Sequence, residues 1–256
     1  MNYMRLQKLK QIRKKLSSGV VSLGTWQQIP HSSISELLSN SGYDWVAVDL
    51  EHGSIGIEKL PDLFRSIELG GALPLARVLE SNAKNCKQSL DAGAGGIILP
   101  MIENGKQLED IMNNCFWPPR GNRGVGFSRA NLFGKKFDSY IKEAQSPLIV
   151  AQIEHIRAIE NLDDILQVEG LDAIITGPYD LSASMGITAE FENKEFIKVM
   201  KLIISKCKEY KIPCGEHIVE PNPDKLNMRI KQGYRFIAYS TDAIFLYQNS
   251  LNPLSK

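Results

Sequence analysis

The order of apolar and polar residues along the chain alternates between two kinds of segment. Short apolar runs, rich in β-branched or aromatic residues, are typical of strands buried inside a parallel sheet. Eight such runs predict strands at residues 20–25, 45–48, 74–77, 96–100, 148–153, 173–176, 213–215 and 236–239. Longer stretches with one apolar side separate them and predict amphipathic helices. Residues 195–210 are an example, with apolar side chains at Phe196, Val199, Met200, Ile203, Ile204 and Cys207.

This alternation predicts βαβ units and therefore an α/β fold with a parallel sheet. Eight strands within 256 residues favour a closed barrel over an open, doubly wound sheet, because a (β/α)8 barrel takes about 250 residues. We find no internal repeat, low-complexity tract or linker in the sequence. The prediction is a single (β/α)8 TIM barrel over residues 1–256, with an N-terminal helix at about residues 1–17.

Composition and charge restrict the partners of this barrel. The net charge is +1, which gives no general attraction to nucleic acids or anionic lipids. Six of the first fifteen residues are Lys or Arg, and spaced leucines and isoleucines among them indicate an amphipathic helix with a solvated basic face. No apolar run is long enough to span a membrane, and the first residues lack the apolar stretch of a signal peptide. We expect neither a nucleic-acid nor a membrane partner.

The cysteines indicate the compartment rather than the chemistry. The chain has four, at Cys86, Cys115, Cys207 and Cys214, and none forms a CxxC pair. Each lies in a helix or strand pattern, which is typical of buried free thiols in a reducing cytosol. We therefore predict a cytoplasmic protein and no cysteine metal site.

Polar side chains follow the second and third predicted strands, where a barrel enzyme places its active site. The second strand runs into Asp49-Leu50-Glu51-His52, so a carboxylate can orient the His52 imidazole as a general base. The third strand ends at Arg77, which can face a carboxylate or an enolate oxygen. The alternatives are a solvated loop at residues 49–52 and a purely structural ion pair at Arg77.

The fifth, sixth and seventh strands also end in polar residues. Alternation places Gln152 and Glu154 on one face of the fifth strand, and Asp180 follows the sixth. Two carboxylates, completed by waters and a chelating substrate, suit Mg²⁺ or Mn²⁺, although Asp180 can also cap a helix. His217 ends the seventh strand, and contact with substrate is a hypothesis for it. No lysine at a strand end argues for a Schiff base, and P-loop, GxGxxG and GxSxG motifs are absent.

One predicted connection is unusually long. Residues 116–145 lie between the fourth and fifth strands and are rich in glycine and polar residues. A long loop inside a compact domain is usually functional or flexible, and we expect the same here.

The ordered motifs of the chain resemble those of the HpcH/HpaI aldolases, which are metal-dependent pyruvate aldolases. The resemblance covers about residues 24–245 and rests on several short segments. These are Gly42-Tyr43-Asp44-Trp45, Asp49-Leu50-Glu51-His52, Arg77, Leu90-Asp91-Ala92-Gly93-Ala94, Leu99-Pro100-Met101, Pro118-Pro119-Arg120-Gly121-Asn122-Arg123-Gly124, Gln152-Ile153-Glu154 and Gly177-Pro178-Tyr179-Asp180-Leu181-Ser182.

The resemblance implies a class II aldolase that reversibly cleaves a 4-hydroxy-2-oxo acid into pyruvate, or a similar 2-oxo acid, and an aldehyde. It implies a divalent metal, Mg²⁺, Mn²⁺ or Co²⁺, held by Glu154 and Asp180. His52, with Asp49 as its partner, would be the base and would act through a water, while Arg77 would stabilise the enolate.

Substrate contacts are implied by the same resemblance. Gln152 would position the substrate, and backbone amides around Gly177–Asp180, a segment that includes Pro178 and Tyr179, would hold its carboxylate. The family is commonly a hexamer built of dimers that exchange a C-terminal helix, and Asp91 resembles a position that reaches a neighbouring subunit's site. We therefore expect a homo-oligomer, although the tail after Asp242 is short for such an exchange.

Three departures from the family pattern bear on the substrate. Tyr179 stands where many relatives have a small residue, and Glu216 and His217 stand where apolar residues are usual. The segment at residues 128–134 looks like that of a branch that processes sugar acids. We expect a hydroxylated aldehyde and a 2-dehydro-3-deoxy sugar acid as substrate class. The alternatives are a citrate-synthase-like or lyase-like enzyme with the same metal–enolate site, and a non-catalytic barrel that binds a 2-oxo acid.

Overall fold

The computed structural model describes residues 2–254 and shows a closed barrel of eight parallel strands. Each strand pairs with its neighbours in chain order, and the last closes onto the first. The strands are β1 (Ser22–Gln27), β2 (Trp45–Asp49), β3 (Leu73–Arg77), β4 (Gly96–Leu99), β5 (Leu148–Ile153), β6 (Ala173–Thr176), β7 (Cys214–Ile218) and β8 (Phe236–Thr241). The predicted (β/α)8 barrel is confirmed.

Helices precede the barrel, connect its strands and follow the last strand. They are α1 (Asn2–Ser17), α2 (Ser32–Asn40), α3 (Leu60–Leu69), α4 (Ala83–Ala92), α5 (Gly105–Asn113), α6 (Phe137–Ala144), α7 (Ile156–Glu160), α8 (Leu162–Leu166), α9 (Pro178–Ser184), α10 (Lys194–Tyr210), α11 (Pro223–Gln232) and α12 (Asp242–Asn249). Asparagine side chains cap several of them, as Asn193 does for α10 by accepting a hydrogen bond from the Glu195 amide.

Six strands differ from their predicted bounds by one to three residues at an end, and β1 and β7 both extend past their predicted ends into polar residues. β1 begins two residues later than predicted and includes Trp26 and Gln27. β7 continues through Glu216 and His217 to Ile218. Adjacent residues of a strand point to opposite faces. His217 therefore faces the interior, whereas Glu216 faces the helices and pairs with Arg229, 2.6 Å away. The expectation that Glu216 shapes the substrate pocket is wrong.

The amino end of the barrel is closed by α1. Its Leu9, Ile12 and Leu16 are buried in one apolar cluster with residues of the barrel interior. Within that interior, Trp45 stacks on Phe236 with ring centroids 4.5 Å apart. The amino end of the barrel interior is therefore packed by described residues, which leaves the opposite end for a ligand.

The basic residues of α1 are less solvated than predicted. Arg5 is 3% exposed and forms ion pairs with Glu68 and Glu143. Arg13 pairs with Asp172 at 2.6 Å, and Lys15 pairs with Asp44. These pairs fix α1 to the barrel, so much of the positive charge of α1 is held in ion pairs. Within residues 2–254 we find no helix that is long and apolar enough to cross a membrane.

The long connection at residues 116–145 is more ordered than predicted. It includes α6 and a short 3-10 helix at Arg129–Asn131, and Arg129 pairs with Glu68 at 2.8 Å. Because it joins α5 to the beginning of β5, it lies at the amino end of the barrel. Within one chain this segment is therefore remote from the carboxyl ends of the strands.

Candidate active site

A cavity of about 380 Å³ opens at the carboxyl ends of the strands. The predicted residues that line it are His52, Arg77, Gln152, Gly177, Pro178, Tyr179, Asp180 and His217. Asp49 and Glu154 are buried and contact residues of this wall. The structure thus brings all the predicted site residues to one end of the barrel.

Asp49 and Arg77 form a buried ion pair at the base of the site. They are direct partners in the register of β2 and β3, so their side chains emerge side by side. Arg77 Nε and Nη2 donate to the two oxygens of Asp49 at 2.9 and 2.7 Å. Burial alone would raise the pKa of Asp49, but the hydrogen bonds and charge of Arg77 hold it below the ordinary value. Asp49 is therefore an anion that fixes the direction of the guanidinium.

The expected pairing of Asp49 with the His52 imidazole is not what the structure shows. Asp49 Oδ1 accepts a hydrogen bond from the backbone N–H of His52 at 3.2 Å, while the carboxylate faces Arg77. The His52 ring is mostly exposed, and its Nε2 lies 3.9 Å from Glu51 Oε2. The register of β2 and β3 explains this difference, because it places Arg77 directly beside Asp49. The guanidinium therefore donates to both carboxylate oxygens.

Glu51 is a site residue to which the sequence reasoning gave no role. Its Oε2 lies 3.1 Å from Arg77 Nη1, so Arg77 contacts two carboxylates. Burial raises the pKa of Glu51 to about 6, and the charges of Asp49 and Asp180 add to this effect against the opposing charge of Arg77. The position of Glu51, one residue before His52, was the available signal.

Glu154 is held by one neighbour on β5 and one in the connection after β4. Its Oε1 accepts a hydrogen bond from the Met101 amide at 2.6 Å, and its Oε2 accepts one from Gln152 Nε2. Met101 presents its amide from a left-handed conformation, with φ of 53°. Burial raises the pKa of Glu154 to about 7, with further contributions from the negative charges of Glu51 and Asp180. The described residues place no arginine or lysine in hydrogen-bonding contact with Glu154.

This carboxylate group fits a divalent cation. Besides burial, the negative charges of Glu51 and Asp180 raise the pKa of Glu154, and a cation bound at Glu154 would relieve that repulsion. In the part of the chain that the structure describes, no cluster of three or more His, Cys, Asp or Glu side chains is assembled for a metal. Two protein carboxylates with waters and substrate oxygens suit Mg²⁺ or Mn²⁺, which retain water ligands.

Gly177 is required by its closeness to Glu154. A Cβ at this position would lie 2.8 Å from Glu154 Oε2 and 3.0 Å from Glu154 Cβ. We expect Gly177→Ala to displace the carboxylate and lower kcat/KM by about 100-fold, since shifts near 1 Å cost this much in positioned sites. Steady-state kinetics on folded protein measures this. Gly126→Ala is the control, because its added Cβ meets open space, and equal activity of the two variants would contradict the assignment.

The mouth of the cavity is formed by the first turn of α9. Tyr179 is 48% exposed and packs edge-on against Phe191, so it forms an aromatic rim beside Asp180. The Gly177 amide donates to the Ile153 carbonyl, and Pro178 has no N–H. A carboxylate at this turn can therefore receive backbone hydrogen bonds from Tyr179 and Asp180 but not from the two residues before them.

Two remaining histidines have structural roles. His31 and His155 are N-caps of α2 and α7, and their Nδ1 atoms accept hydrogen bonds from the amides of Ser33 and Arg157. His217 differs from both, because its ring lines the cavity beside Trp26.

A cavity at the carboxyl end of a closed (β/α)8 barrel is where barrel enzymes hold their substrates. The chain is therefore placed in the class of barrel enzymes by its fold. A sequence model described as HpcH/HpaI aldolase/citrate lyase matches residues 23–248. The chain belongs to this family.

Individual relatives agree with that membership. A hydroxypyruvate/pyruvate aldolase of Roseobacter denitrificans is 32% identical over 252 residues, which are 97% of this chain and 97% of the relative. A 2-keto-3-deoxy-L-rhamnonate aldolase of Escherichia coli is 31% identical over 94% of this chain and 90% of its own length. A crystal structure of a family protein from Burkholderia cenocepacia superposes with a TM-score of 0.88 and 26% identity, covering 94% of this chain and 96% of that one.

These comparisons confirm the family, the barrel and the carbon–carbon lyase class that the sequence predicted. The protein is an enzyme of the aldolase type. The roles of individual residues, the metal and the substrate stay predictions.

Proposed function

We propose that this protein is a metal-dependent class II aldolase that cleaves a 4-hydroxy-2-oxo acid into pyruvate, or a pyruvate-like 2-oxo acid, and an aldehyde. The observation that carries the proposal is the charge arrangement at the end of the barrel. Arg77, fixed by Asp49, ends β3, and the carboxylates Glu154 and Asp180 follow β5 and β6 at the same end of the barrel. This arrangement suits chemistry in which negative charge develops on an oxygen between them.

Glu154 and Asp180 are the proposed protein ligands of a divalent cation. Glu154 contributes a buried oxygen whose orientation is set by Met101 and Gln152, and Asp180 contributes an exposed one from α9. The cation, Mg²⁺, Mn²⁺ or Co²⁺, would supply Lewis acidity that stabilises charge on the 2-oxo group.

Arg77 is the proposed residue that stabilises the enolate oxygen. Its guanidinium lines the cavity and is buried, so its charge acts with little screening by water. The two hydrogen bonds to Asp49 keep it from turning away, and its position over Trp26, 4.4 Å from the ring centroid, fixes its plane.

His52 is the proposed base, with Glu51 rather than Asp49 as its nearest carboxylate. In cleavage it would remove the proton of the C4 hydroxyl through a water, and in synthesis it would remove a proton from C3. Gln152 and the amides of Tyr179 and Asp180 would orient the substrate carboxylate. In this proposal Gly177 leaves room for the Glu154 side chain and donates no hydrogen bond to the substrate.

The substrate class follows from the polarity of the wall. His217, Gln28 and Thr241 line the cavity together with apolar residues, which suits a hydroxylated chain such as a 2-dehydro-3-deoxy sugar acid. The two named relatives, one acting on hydroxypyruvate and pyruvate and one on a 2-keto-3-deoxy sugar acid, support this choice.

Assembly and location are further parts of the proposal. Exposed apolar side chains on and after α12, among them Leu246, Tyr247 and Leu251, suit a homo-oligomer, either a hexamer or another dimer-based form. The four cysteines are buried and free, which suits a cytoplasmic protein.

Protein freed of metal should lose stability as pH rises from about 5 to 8. Glu154 has a folded pKa of about 7 against an ordinary value of 4.5, so the unfolded chain releases its proton first. Folding is therefore penalised progressively above pH 4.5, by up to about 3 kcal/mol once pH exceeds 7. Melting temperature across this range, with EDTA or with added Mg²⁺, measures the effect.

Added cation should restore the stability at pH 8 more than at pH 5, because binding requires the ionised carboxylate. In Glu154→Gln both the pH slope and the cation effect should shrink. A metal-free protein whose melting temperature is the same at pH 5 and pH 8 would contradict the carboxylate assignment.

The proposed reaction is tested with a panel of 4-hydroxy-2-oxo acids of different chain length and hydroxylation. Release of pyruvate or hydroxypyruvate from at least one member is expected. Oxaloacetate with and without acetyl-CoA tests the citrate-synthase-like or lyase-like alternative. Turnover confined to the acyl substrate would replace the aldolase proposal, and binding of 2-oxo acids without any turnover would favour the non-catalytic alternative.

A further inference from the structure

The cavity contains a histidine that the proposed bond cleavage does not use. His217, from β7, lies beside Trp26 of β1, with ring centroids 5.4 Å apart and planes tilted by 43°. Both residues line the cavity. The His217 Nε2 atom is buried and has no hydrogen-bond partner within residues 2–254, and the same is true of Trp26 Nε1. Buried polar atoms without partners are uncommon and require an explanation.

The backbone carbonyl of Ser240 adjoins the imidazole of His217. Because Nε2 has no partner, we assign the ring N–H to Nδ1, on the side of this carbonyl. Ser240 is in the left-handed region with φ of 58°, where the register between β1 and β8 shifts. Its carbonyl also accepts a hydrogen bond from Thr25 Oγ1 at 3.3 Å. With this assignment of the tautomer, Nε2 carries the lone pair.

The imidazole also stays uncharged. Burial, reinforced by the nearby charge of Arg77, lowers the pKa of His217 to about 3. At neutral pH the ring can therefore only accept at Nε2. The Trp26 indole can only donate at Nε1. A hydroxyl group is the simplest substituent that can both donate to a histidine nitrogen and accept from an indole N–H.

We propose that His217 Nε2, with Trp26 beside it, forms a subsite for a hydroxyl group of the substrate and selects hydroxylated substrates over their deoxy analogues. This inference rests on the proposed aldolase function and adds a specificity-determining residue to it. The Arg77 guanidinium lies 4.4 Å from the Trp26 ring centroid, so the subsite adjoins the group proposed to hold the enolate oxygen.

A hydroxyl in this position can come from either half of the substrate. It is the C3 hydroxyl of a 2-oxo acid such as hydroxypyruvate, or a hydroxyl of the aldehyde next to the new bond. The chemistry of recognition is the same, and a site built to bind a hydroxyl discriminates against its absence because the buried polar atoms are then left unpaired.

The test is a matrix of two donors, pyruvate and hydroxypyruvate, and two acceptors, acetaldehyde and glycolaldehyde. Wild type, His217→Leu and His217→Gln are compared by kcat/KM for each pair. Leucine removes the acceptor, whereas the glutamine amide oxygen can restore one near the Nε2 position. We expect His217→Leu to lower the preference for the hydroxylated member by at least about 10-fold and His217→Gln to recover part of it.

If His217→Leu loses the preference between the two donors, the hydroxyl belongs to the 2-oxo acid. If it loses the preference between the two acceptors, the hydroxyl belongs to the aldehyde. His31→Asn is the matched control, because His31 is an exposed helix cap and asparagine also caps helices. Preferences in His217→Leu equal to those of wild type in every pair would overturn the subsite and leave the aldolase proposal intact. If wild type turns over no pair, the proposed function fails. Calorimetric binding of hydroxypyruvate against pyruvate to wild type and His217→Leu then decides the subsite, and an equal ratio in both proteins would refute it.

Discussion

Replacing Glu154 with glutamine is expected to lower kcat/KM for aldol cleavage by about 1,000-fold while the barrel stays folded. Glutamine has nearly the same shape and can still accept the hydrogen bond from the Met101 amide, so the change removes mainly charge. Without that charge, one of the two proposed protein ligands of the cation is lost. Steady-state kinetics at saturating Mg²⁺ or Mn²⁺ measures the loss of kcat/KM. Mn²⁺ titration followed by electron paramagnetic resonance measures the loss of cation binding.

Glu160→Gln is the matched control for that substitution. Glu160 is an exposed glutamate at the end of α7, on the same connection as Glu154 but outside the cavity. It should retain wild-type turnover and Mn²⁺ affinity. Glu154→Gln with wild-type turnover and Mn²⁺ affinity would remove Glu154 from the site.

Replacing Arg77 with methionine should affect both stability and catalysis. Asp49 is fully buried and would lose its charged partner, which costs about 3–5 kcal/mol for pairs of this kind. The cation proposed to stabilise the enolate would also be missing, so kcat/KM should fall by about 100- to 1,000-fold. Arg77→Lys should fold better but remain impaired, because lysine cannot reproduce the two parallel hydrogen bonds.

The double variant Arg77→Met with Asp49→Asn separates these two effects. Neutralising Asp49 removes the unpaired buried charge while an amide oxygen can still accept from the backbone of Glu51 and His52. We expect it to recover part of the lost stability, measured by urea denaturation, but none of the activity. Recovery of activity together with stability would show that Arg77 acts only as a structural partner of Asp49.

The barrel could be predicted from sequence because buried parallel strands leave a strong local pattern. The apolar runs that became β5 and β6 matched their observed bounds, and every residue in them is buried. β7 was predicted too short because its Glu216 and His217 are polar, although both side chains are held inside the fold. Polar residues whose side chains have partners inside the protein can belong to a buried strand, and a search for apolar runs misses them.

The location of the site could also be predicted, because the strand ends of a barrel converge. Which side chains pair with each other inside the site could not be predicted. Whether Asp49 contacts His52 or Arg77 depends on the register of two strands that are separated by a helix, and sequence spacing carries no information on that register. The same holds for Glu154, whose amide donor comes from Met101 in the connection after the neighbouring strand β4.

The free nitrogen of His217 depends on a still less visible feature. It follows from the burial of the ring among residues of other strands, which has no sequence signature. The sequence indicated only that a histidine stands at the end of a strand.

The most direct test of the account is the metal dependence of 2-oxo acid release from the best substrate of the panel. Protein treated with EDTA and desalted should release neither pyruvate nor hydroxypyruvate, and addition of Mg²⁺, Mn²⁺ or Co²⁺ should restore release in wild type but not in Glu154→Gln. Undiminished release from metal-free, folded protein would contradict the account.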